Sequence, residues 1–211
     1  MKKTLQLPII LLTLMTILSS CVNKKSNNSI DLEAKKNEVK TYNLKAGLYD
    51  IDSEKSSIEW LGKKPTGSHN GDIELKQGSI KVNENGIISG GEFIFNMQTI
   101  NCTDLEGQPK TNIEGHLKNE DFFNVEKFPE AYFTIEKSDD KKMSGVLTIK
   151  NKSNPITFNY TRTGPLEFTA EIKVDRTLYD IKYGSKSFFS DLGDKFIEDI
   201  ITITLNPIIF K

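Results

Sequence analysis

The chain has 211 residues, of which 36% are hydrophobic and 27% charged, with 14 glycines and 7 prolines. This composition excludes a collagen-like or disulfide-dense protein and argues against wholesale disorder. The 28 lysines and arginines almost balance the 29 aspartates and glutamates. The chain therefore lacks the net positive charge that binding to nucleic acid favours, and we expect no nucleic-acid partner.

Residues 1–20 have the form of a bacterial lipoprotein signal peptide. Two lysines precede an apolar run from Leu5 to Leu18, which is shorter than the roughly 20 residues that a membrane-spanning helix needs. Leu18-Ser19-Ser20-Cys21 resembles a lipobox, in which small residues precede a cysteine that is acylated and becomes the new N-terminus. We therefore predict lipidation of Cys21, although a plain cleaved signal is an alternative. The expected location is the bacterial cell envelope, anchored to a membrane at its periplasmic or outer-membrane face.

Residues 21–47 follow as a polar, lysine-rich segment without a convincing hydrophobic period. A flexible chain of this length has a root-mean-square reach of about 25–30 Å. We expect it to act as a tether that lets the domain of residues 48–211 move over the bilayer without inserting. Cys102 lies within that domain, and it is predicted to be a free thiol because Cys21 is expected to be acylated.

The domain alternates apolar and polar residues along about eight segments, the pattern of half-buried antiparallel strands. The clearest is Leu166–Val174, in which every even position is apolar and every odd one polar. The other segments are Ser57–Leu61, Asp72–Val82, Ile87–Met97, Ala131–Lys137, Met143–Lys150, Ile156–Arg162 and Phe196–Asn206. Residues 101–128 lack alternation, and we place one short helix there, near Asn112–Asn119.

These elements predict an all-β fold with about eight antiparallel strands, because the short connections favour hairpins over crossovers. A sandwich and a closed barrel are both compatible with the pattern, and closure removes exposed strand edges. The interior of an eight-stranded barrel is either filled by side chains or holds one small ligand. Alternation alone does not distinguish a filled interior from a hollow one.

Four collinear stretches resemble the YceI-like family of secreted polyisoprenoid-binding proteins. They are Tyr49–Gly71, His116–Phe133, Gly145–Phe158 and Val174–Gly184. The second is the most specific, since its His-Leu, Asp-Phe-Phe and Phe-Pro elements are similar to the hallmark of the family. The resemblance covers the whole domain and implies a lipocalin-like barrel whose partner is a long-chain isoprenoid lipid. Three features depart from the family: Ser153-Asn154 stands where a Gly-Val type turn is common, residues 97–101 replace an SIDT-like run, and a lipobox is not a general family feature.

The resemblance and the strand pattern together select inward positions for the apolar wall of a ligand site. These are Trp60, Phe93, Phe95, Phe133, Phe158, Tyr160, Phe168, Ala170, Ile172 and Ile203. The same residues would also suit a filled core. His69 and Arg176 are candidates for binding a polar head group. The alternatives are an exposed loop histidine, and an arginine clamped by Asp175 or Asp121.

Neither metal binding nor catalysis is indicated. The two histidines, His69 and His116, have no metal-ligand spacing, and His116 is expected to satisfy backbone groups that fix the helix against the barrel. No G-x-S-x-G elbow, P-loop or paired-carboxylate signature occurs. We expect no metal and no redox cofactor.

The sequence therefore predicts a membrane-anchored, non-enzymatic protein that carries or sequesters a polyisoprenoid-type lipid. A polyprenyl phosphate and an isoprenoid quinone are both open as ligands. The alternatives are an envelope interaction module with a filled barrel and, third, an envelope enzyme that uses His69. The oligomeric state is left open, with a homodimer among the options.

Overall fold

The computed structural model describes residues 42–211, so the predicted signal peptide, Cys21 and most of the predicted tether lie outside the described residues. The elements are β1 Gly47–Asp50, β2 Ile58–Lys64, β3 Gly67–Val82, β4 Ile88–Cys102, α1 Gly107–Lys118, β5 Glu130–Ser138, β6 Lys142–Ile149, β7 Lys152–Gly164, β8 Glu167–Asp175 and β9 Ile200–Ile209. Two 3₁₀ turns, Arg176–Tyr179 and Gly193–Lys195, lie between β8 and β9. No helix among residues 42–211 is long and apolar enough to cross a membrane.

Eight strands, β2 to β9, close an antiparallel barrel. Each strand pairs with the next along the chain, and β9 returns to pair with β2, with Ile203 opposite Trp60. The all-β barrel with one helix is therefore confirmed, and each predicted strand segment overlaps an observed strand. The alternation in β8 has the expected result, because Phe168 and Val174 are buried while Glu171 and Lys173 are exposed.

β1 is a ninth strand in the described chain, and the sequence did not predict it. It pairs with the last four residues of β3, from Ser79 to Val82, whereas β2 pairs with the first part of β3. Ile51 also forms a bridge with Phe210 just beyond β9. β1 and β2 thus share one strand position in the barrel, interrupted at residues 51–57. Four residues are too few to show a clear period of two, which is why the pattern missed β1.

The connections divide the barrel into two ends. The terminal end is formed by the short turns at 83–87, 139–141 and 165–166, and both ends of the described chain lie there. The helix end carries the β2–β3 turn, the β4–β5 connection with α1, the turn at 150–151 and the long β8–β9 connection. Lys150 and Asn151 both have positive φ, as the two-residue turn between β6 and β7 requires.

The terminal end is closed by a buried cluster of apolar side chains that includes Ile51, Val82 and Ile135. Residues 42–46, assigned to the tether from sequence, cover this cluster, and Leu44 packs against it. Arg162 Nη1 donates to the Tyr42 carbonyl at 2.8 Å, and the Tyr42 hydroxyl donates to the Thr163 carbonyl at 3.1 Å. These contacts fix the start of the described chain at the terminal end.

Candidate ligand-binding site

A cavity of about 730 Å³ lies inside the barrel and extends to the helix end. This volume lies within the range of about 300–1,000 Å³ that is typical of small-molecule sites. The wall is formed mainly by aliphatic and aromatic side chains of the strands, together with Leu117, Phe122 and Phe123 from α1 and the residues after it. Within residues 42–211, the barrel therefore encloses a cavity, and its interior is not the filled core of the alternative interpretation.

Nine of the ten predicted wall residues line this cavity: Trp60, Phe93, Phe95, Phe133, Phe158, Tyr160, Phe168, Ile172 and Ile203. Ala170 is the exception: it is half-buried and packs against the same apolar cluster as Ile172 and Ile203, but it does not line the cavity. The β8–β9 register shifts between Phe168 and Ala170, and the intervening Thr169 lines the cavity instead. The ligand-binding role of all ten residues stays a prediction.

Three neighbouring strands contribute to the wall at one level of the barrel. Trp60 on β2 lies opposite Ile203 on β9, and Ile203 lies opposite Ile172 on β8. The Trp60 indole donates through Nε1 to the Asp72 carbonyl at 3.2 Å, so its polar atom is satisfied while its ring faces the cavity. These side chains are only half-buried although they point inward, because the cavity leaves part of their surface accessible.

The mouth of the cavity lies at the helix end. Seven lining residues are exposed to solvent: Lys63, Lys64, Ser68, Pro109, Asn112, Tyr183 and Lys195. All seven belong to the β2–β3 hairpin, to α1 or to the β8–β9 connection. The lining residues contributed by the terminal end, such as Ile80, Ile88 and Ile208, are buried. Among residues 42–211, the cavity therefore opens at the helix end, between the hairpin, the helix and the connection.

His69 lines the cavity near the mouth and is held by Asp104. Its Nδ1 lies 3.0 Å from Oδ2 of Asp104, whose Oδ1 accepts hydrogen bonds from the Asn70 amide and the Cys102 thiol. Burial acts to raise the pKa of Asp104, but the hydrogen bonds from Asn70, Cys102 and His69 outweigh it and lower the pKa. Cys102 is a buried free cysteine, and burial together with the Asp104 bond raises the pKa of its thiol.

Arg176 also lines the cavity, but its donors are engaged by the protein. The side chain is only 1% exposed. It donates to the carbonyls of Ile181, Ile197 and Glu198 at 2.7–3.1 Å. Its ion-pair partner is Asp199, at 3.4 Å, and not Asp175 or Asp121 as the sequence suggested. Asp175 instead accepts hydrogen bonds from Thr177. The geometry thus favours the clamp that fixes the β8–β9 connection over direct binding of a head group.

His116 on α1 differs from the expectation that it would satisfy backbone groups. Its Nε2 is buried and has no hydrogen-bond partner among the described residues. The ring packs against Tyr183 and Phe122, with centroid distances of 4.4 and 5.5 Å. Burial lowers the pKa of His116, and the charge of Arg176 acts in the same direction against Asp121. The helix is held by apolar contacts instead, chiefly those of Leu117.

The charged residues at the cavity are of one sign. Lys63, Lys64, Lys195 and Arg176 line it, whereas no described lining residue is an aspartate or glutamate. Within residues 42–211, no group of three or more His, Cys, Asp or Glu side chains is placed to hold a metal ion. The three lysines and His116 were not predicted from sequence as cavity residues. The available signal was the position of Lys63 and Lys64 beside the β2–β3 turn, six and five residues before His69.

A closed antiparallel barrel with an apolar cavity and a polar mouth at one end defines a small-molecule-binding barrel. The sequence profile of the YceI-like domain matches residues 49–207. Since this match covers most of the chain, the protein belongs to the YceI-like family.

Two solved structures show the same fold at low sequence identity. BcnA from Burkholderia cenocepacia is 17% identical with a TM-score of 0.59, over 75% of this chain and 98% of that chain. A polyisoprenoid-binding domain from Saccharophagus degradans, implicated in plant cell wall breakdown, is 13% identical with a TM-score of 0.54, over 77% and 97% of the two chains. A comparison with curated protein sequences finds no significant match.

Proposed function

We propose that this protein carries or sequesters a polyisoprenoid-type lipid, with the isoprenoid chain in the cavity and the head group at the mouth. The apolar cavity is the observation that carries the proposal. Each five-carbon unit transferred from water contributes on the order of 3–4 kcal/mol before the costs of ordering and association are subtracted. The family and the related polyisoprenoid-binding domain support this ligand class. Both a polyprenyl phosphate and an isoprenoid quinone have an isoprenoid chain of this kind.

Binding without catalysis accounts best for the polar groups around the cavity. Cys102 is buried, donates to Asp104 and has a raised pKa, so it is poorly suited to act as a nucleophile. Arg176 donates to carbonyl groups that hold the fold. His69, the residue on which an enzyme would depend, is paired with Asp104, and among residues 42–211 its ring forms no hydrogen bond with a serine or cysteine.

The proposal includes an anchor: lipidation of Cys21 holds the protein at a membrane of the bacterial cell envelope. The support is the order of basic residues, apolar run and Leu18-Ser19-Ser20-Cys21 in the sequence. Cells grown with labelled palmitate should label the wild-type protein, and the Cys21→Ser variant should be neither labelled nor cleaved before residue 21. Continued labelling of the variant would refute the lipobox.

The ligand is tested by extracting lipid from the full chain after purification from its own host and identifying it by mass spectrometry. A variant that fills the cavity provides the comparison. Ile172 lines the cavity and is half-buried, so Ile172→Trp places a large ring in the space of the lipid. Lys173→Trp is the matched control, because the neighbouring side chain is exposed on the outside of the barrel.

We expect an isoprenoid lipid in extracts of the wild type and of Lys173→Trp, and little or none in extracts of Ile172→Trp. The melting temperatures should be similar, since the new ring occupies existing space and does not overpack a filled core. Absence of any co-purifying or added isoprenoid from the wild type would reject the carrier. Equal lipid in both variants would place the ligand elsewhere.

A further inference from the structure

Three lysines from two distant parts of the chain converge on the mouth. Lys63 and Lys64 end β2, and Lys195 ends the 3₁₀ turn Gly193–Lys195. All three line the cavity and are exposed. The two parts are joined by the backbone, because the Glu198 amide donates to the Lys63 carbonyl at 2.8 Å. This bond places the segment that follows Lys195 directly beside the end of β2.

The charge of these lysines is not compensated at the cavity. Within residues 42–211, Lys63, Lys64 and Lys195 form no ion pair and no side-chain hydrogen bond, although six other pairs are present. Asp194 and Glu198 are near Lys195 in sequence but do not line the cavity. The chain as a whole has a formal net charge of -1, so the mouth is a local concentration of positive charge on a protein that is otherwise nearly neutral.

We propose that this mouth selects an anionic head group, so that the ligand is a prenyl phosphate and not a neutral quinone. The inference rests on the proposed function, since it assumes that an isoprenoid chain enters the cavity. A phosphate monoester carries a charge of about −1.5 to −2 near neutral pH and accepts hydrogen bonds through three oxygens. Lysine ammonium groups bind phosphate as point charges. A quinone accepts hydrogen bonds but leaves the three ammonium charges uncompensated.

The test compares two probes with the same chain, farnesyl phosphate and farnesol, and inorganic phosphate as a third. The full chain, processed by its host, is titrated in neutral phosphatidylcholine vesicles at low and high salt. Trp60 is the only tryptophan of the chain and lines the cavity, so its emission reports occupancy. Because both isoprenoids also enter the vesicles, the decisive quantity is the ratio of their two dissociation constants in each variant.

The variant Lys63→Gln/Lys64→Gln/Lys195→Gln removes the three charges and keeps side chains of similar length. The matched control replaces Lys81, Lys137 and Lys141, which are exposed at the terminal end, by glutamine. A third variant with arginine at the three mouth positions tests rescue by charge. Melting temperatures of all variants establish that each is folded before its binding is compared.

Each exposed ion pair contributes up to a factor of about five, so the wild type should prefer farnesyl phosphate by about tenfold or more at low salt. The preference should be lost in the mouth variant, kept in the control and the arginine variant, and reduced by high salt. Equal affinities of the wild type for both isoprenoids would overturn the anionic selection and leave the carrier intact. Failure of both isoprenoids to bind would reject the carrier and the inference together. Inorganic phosphate binding as tightly as farnesyl phosphate would mean a site for free phosphate.

Discussion

The apolar interior of the barrel is covered in different ways at its two ends. At the terminal end, Ile51, Val82 and Ile135 are buried without lining the cavity, and Leu44 packs against the cluster to which they belong. At the helix end, α1 and the β8–β9 connection cover the strands while leaving a cavity of about 730 Å³ and a mouth. Both ends are built on the same eight strands. The difference shows that the strands fix the barrel, whereas the connections decide whether it is filled or hollow.

The two ends also differ in how many hydrogen bonds an arginine side chain makes. Arg176 at the helix end is fully buried and donates to three carbonyls and to Asp199. Arg162 at the terminal end makes one hydrogen bond, to Tyr42, and its Nε and Nη2 are buried without a partner among residues 42–211. The first side chain therefore holds a connection in place, and the second contributes mainly by packing over Phe168.

Exchanging each arginine for methionine should give the largest difference between the ends. Arg176→Met leaves several buried carbonyls without a donor and Asp199 without its partner, with an expected loss of about 3–4 kcal/mol in the free energy of unfolding. Arg162→Met removes one hydrogen bond but also two unpaired donors, so the expected loss is under about 1 kcal/mol. Urea denaturation of both variants measures the difference. Similar losses would contradict the assignment of Arg176 as the clamp.

Truncating one isoleucine to alanine at each end compares a position in the packed core with a position that borders the cavity. The chemical change is the same at both positions. Ile135 is 4% exposed and does not line the cavity, so Ile135→Ala should leave a void and cost about 2–5 kcal/mol. Ile172 already borders empty space on one side, and Ile172→Ala should cost only about 1 kcal/mol. Unfolding free energies in the absence of lipid make the comparison. A cost at Ile172 equal to that at Ile135 would mean that the cavity is filled in solution.

The smallest expected effect is a pH dependence that arises at the helix end. The pKa of His116 is below its ordinary value of 6.5, mainly because of burial. The unfolded chain thus takes up a proton at His116 at a higher pH than the folded chain. The stabilising effect of the neutral ring is complete above pH 6.5 and is lost as the pH falls from there through the lower folded-state pKa.

His116→Phe should therefore lose less stability than the wild type as the pH falls below 6.5. Denaturation at several pH values measures this, and His69→Asn, measured alongside, separates the contributions of the two histidines of the chain. An unchanged loss in His116→Phe would show that another group is responsible. The carboxylates with lowered pKa, such as Asp104, Asp139 and Glu130, change the stability only at lower pH, because carboxylates take up protons at lower pH than histidine.

The strands were easier to predict from sequence than the connections, for a physical reason. Polar and apolar residues must alternate along a strand that has one solvent-exposed face and one buried face. The eight strands and their inward aromatic residues can therefore be recognised in the sequence. The connections obey no such period. The helix was expected at Asn112–Asn119 and spans Gly107–Lys118, since only residues such as Leu117 that face the barrel are constrained to be apolar.

The candidate site follows the same division. Nine of the ten predicted wall residues line the cavity, because the alternation along a strand shows which side chains face inward. Asp199 could not be identified as the partner of Arg176, because the long β8–β9 connection brings it back from 23 residues further along the chain. Lys195 joins Lys63 and Lys64 at the mouth through the same connection, and exposed lysines leave no pattern by which such convergence can be foreseen.

The contacts of Tyr42 with Arg162 and Thr163 give the molecule a polarity. The chain enters the barrel at one pole, and ligand enters at the opposite pole. Residue 42 and the mouth of the cavity therefore lie at opposite poles of the barrel. Whatever surface the mouth faces, residue 42 lies on the side of the barrel that is turned away from it.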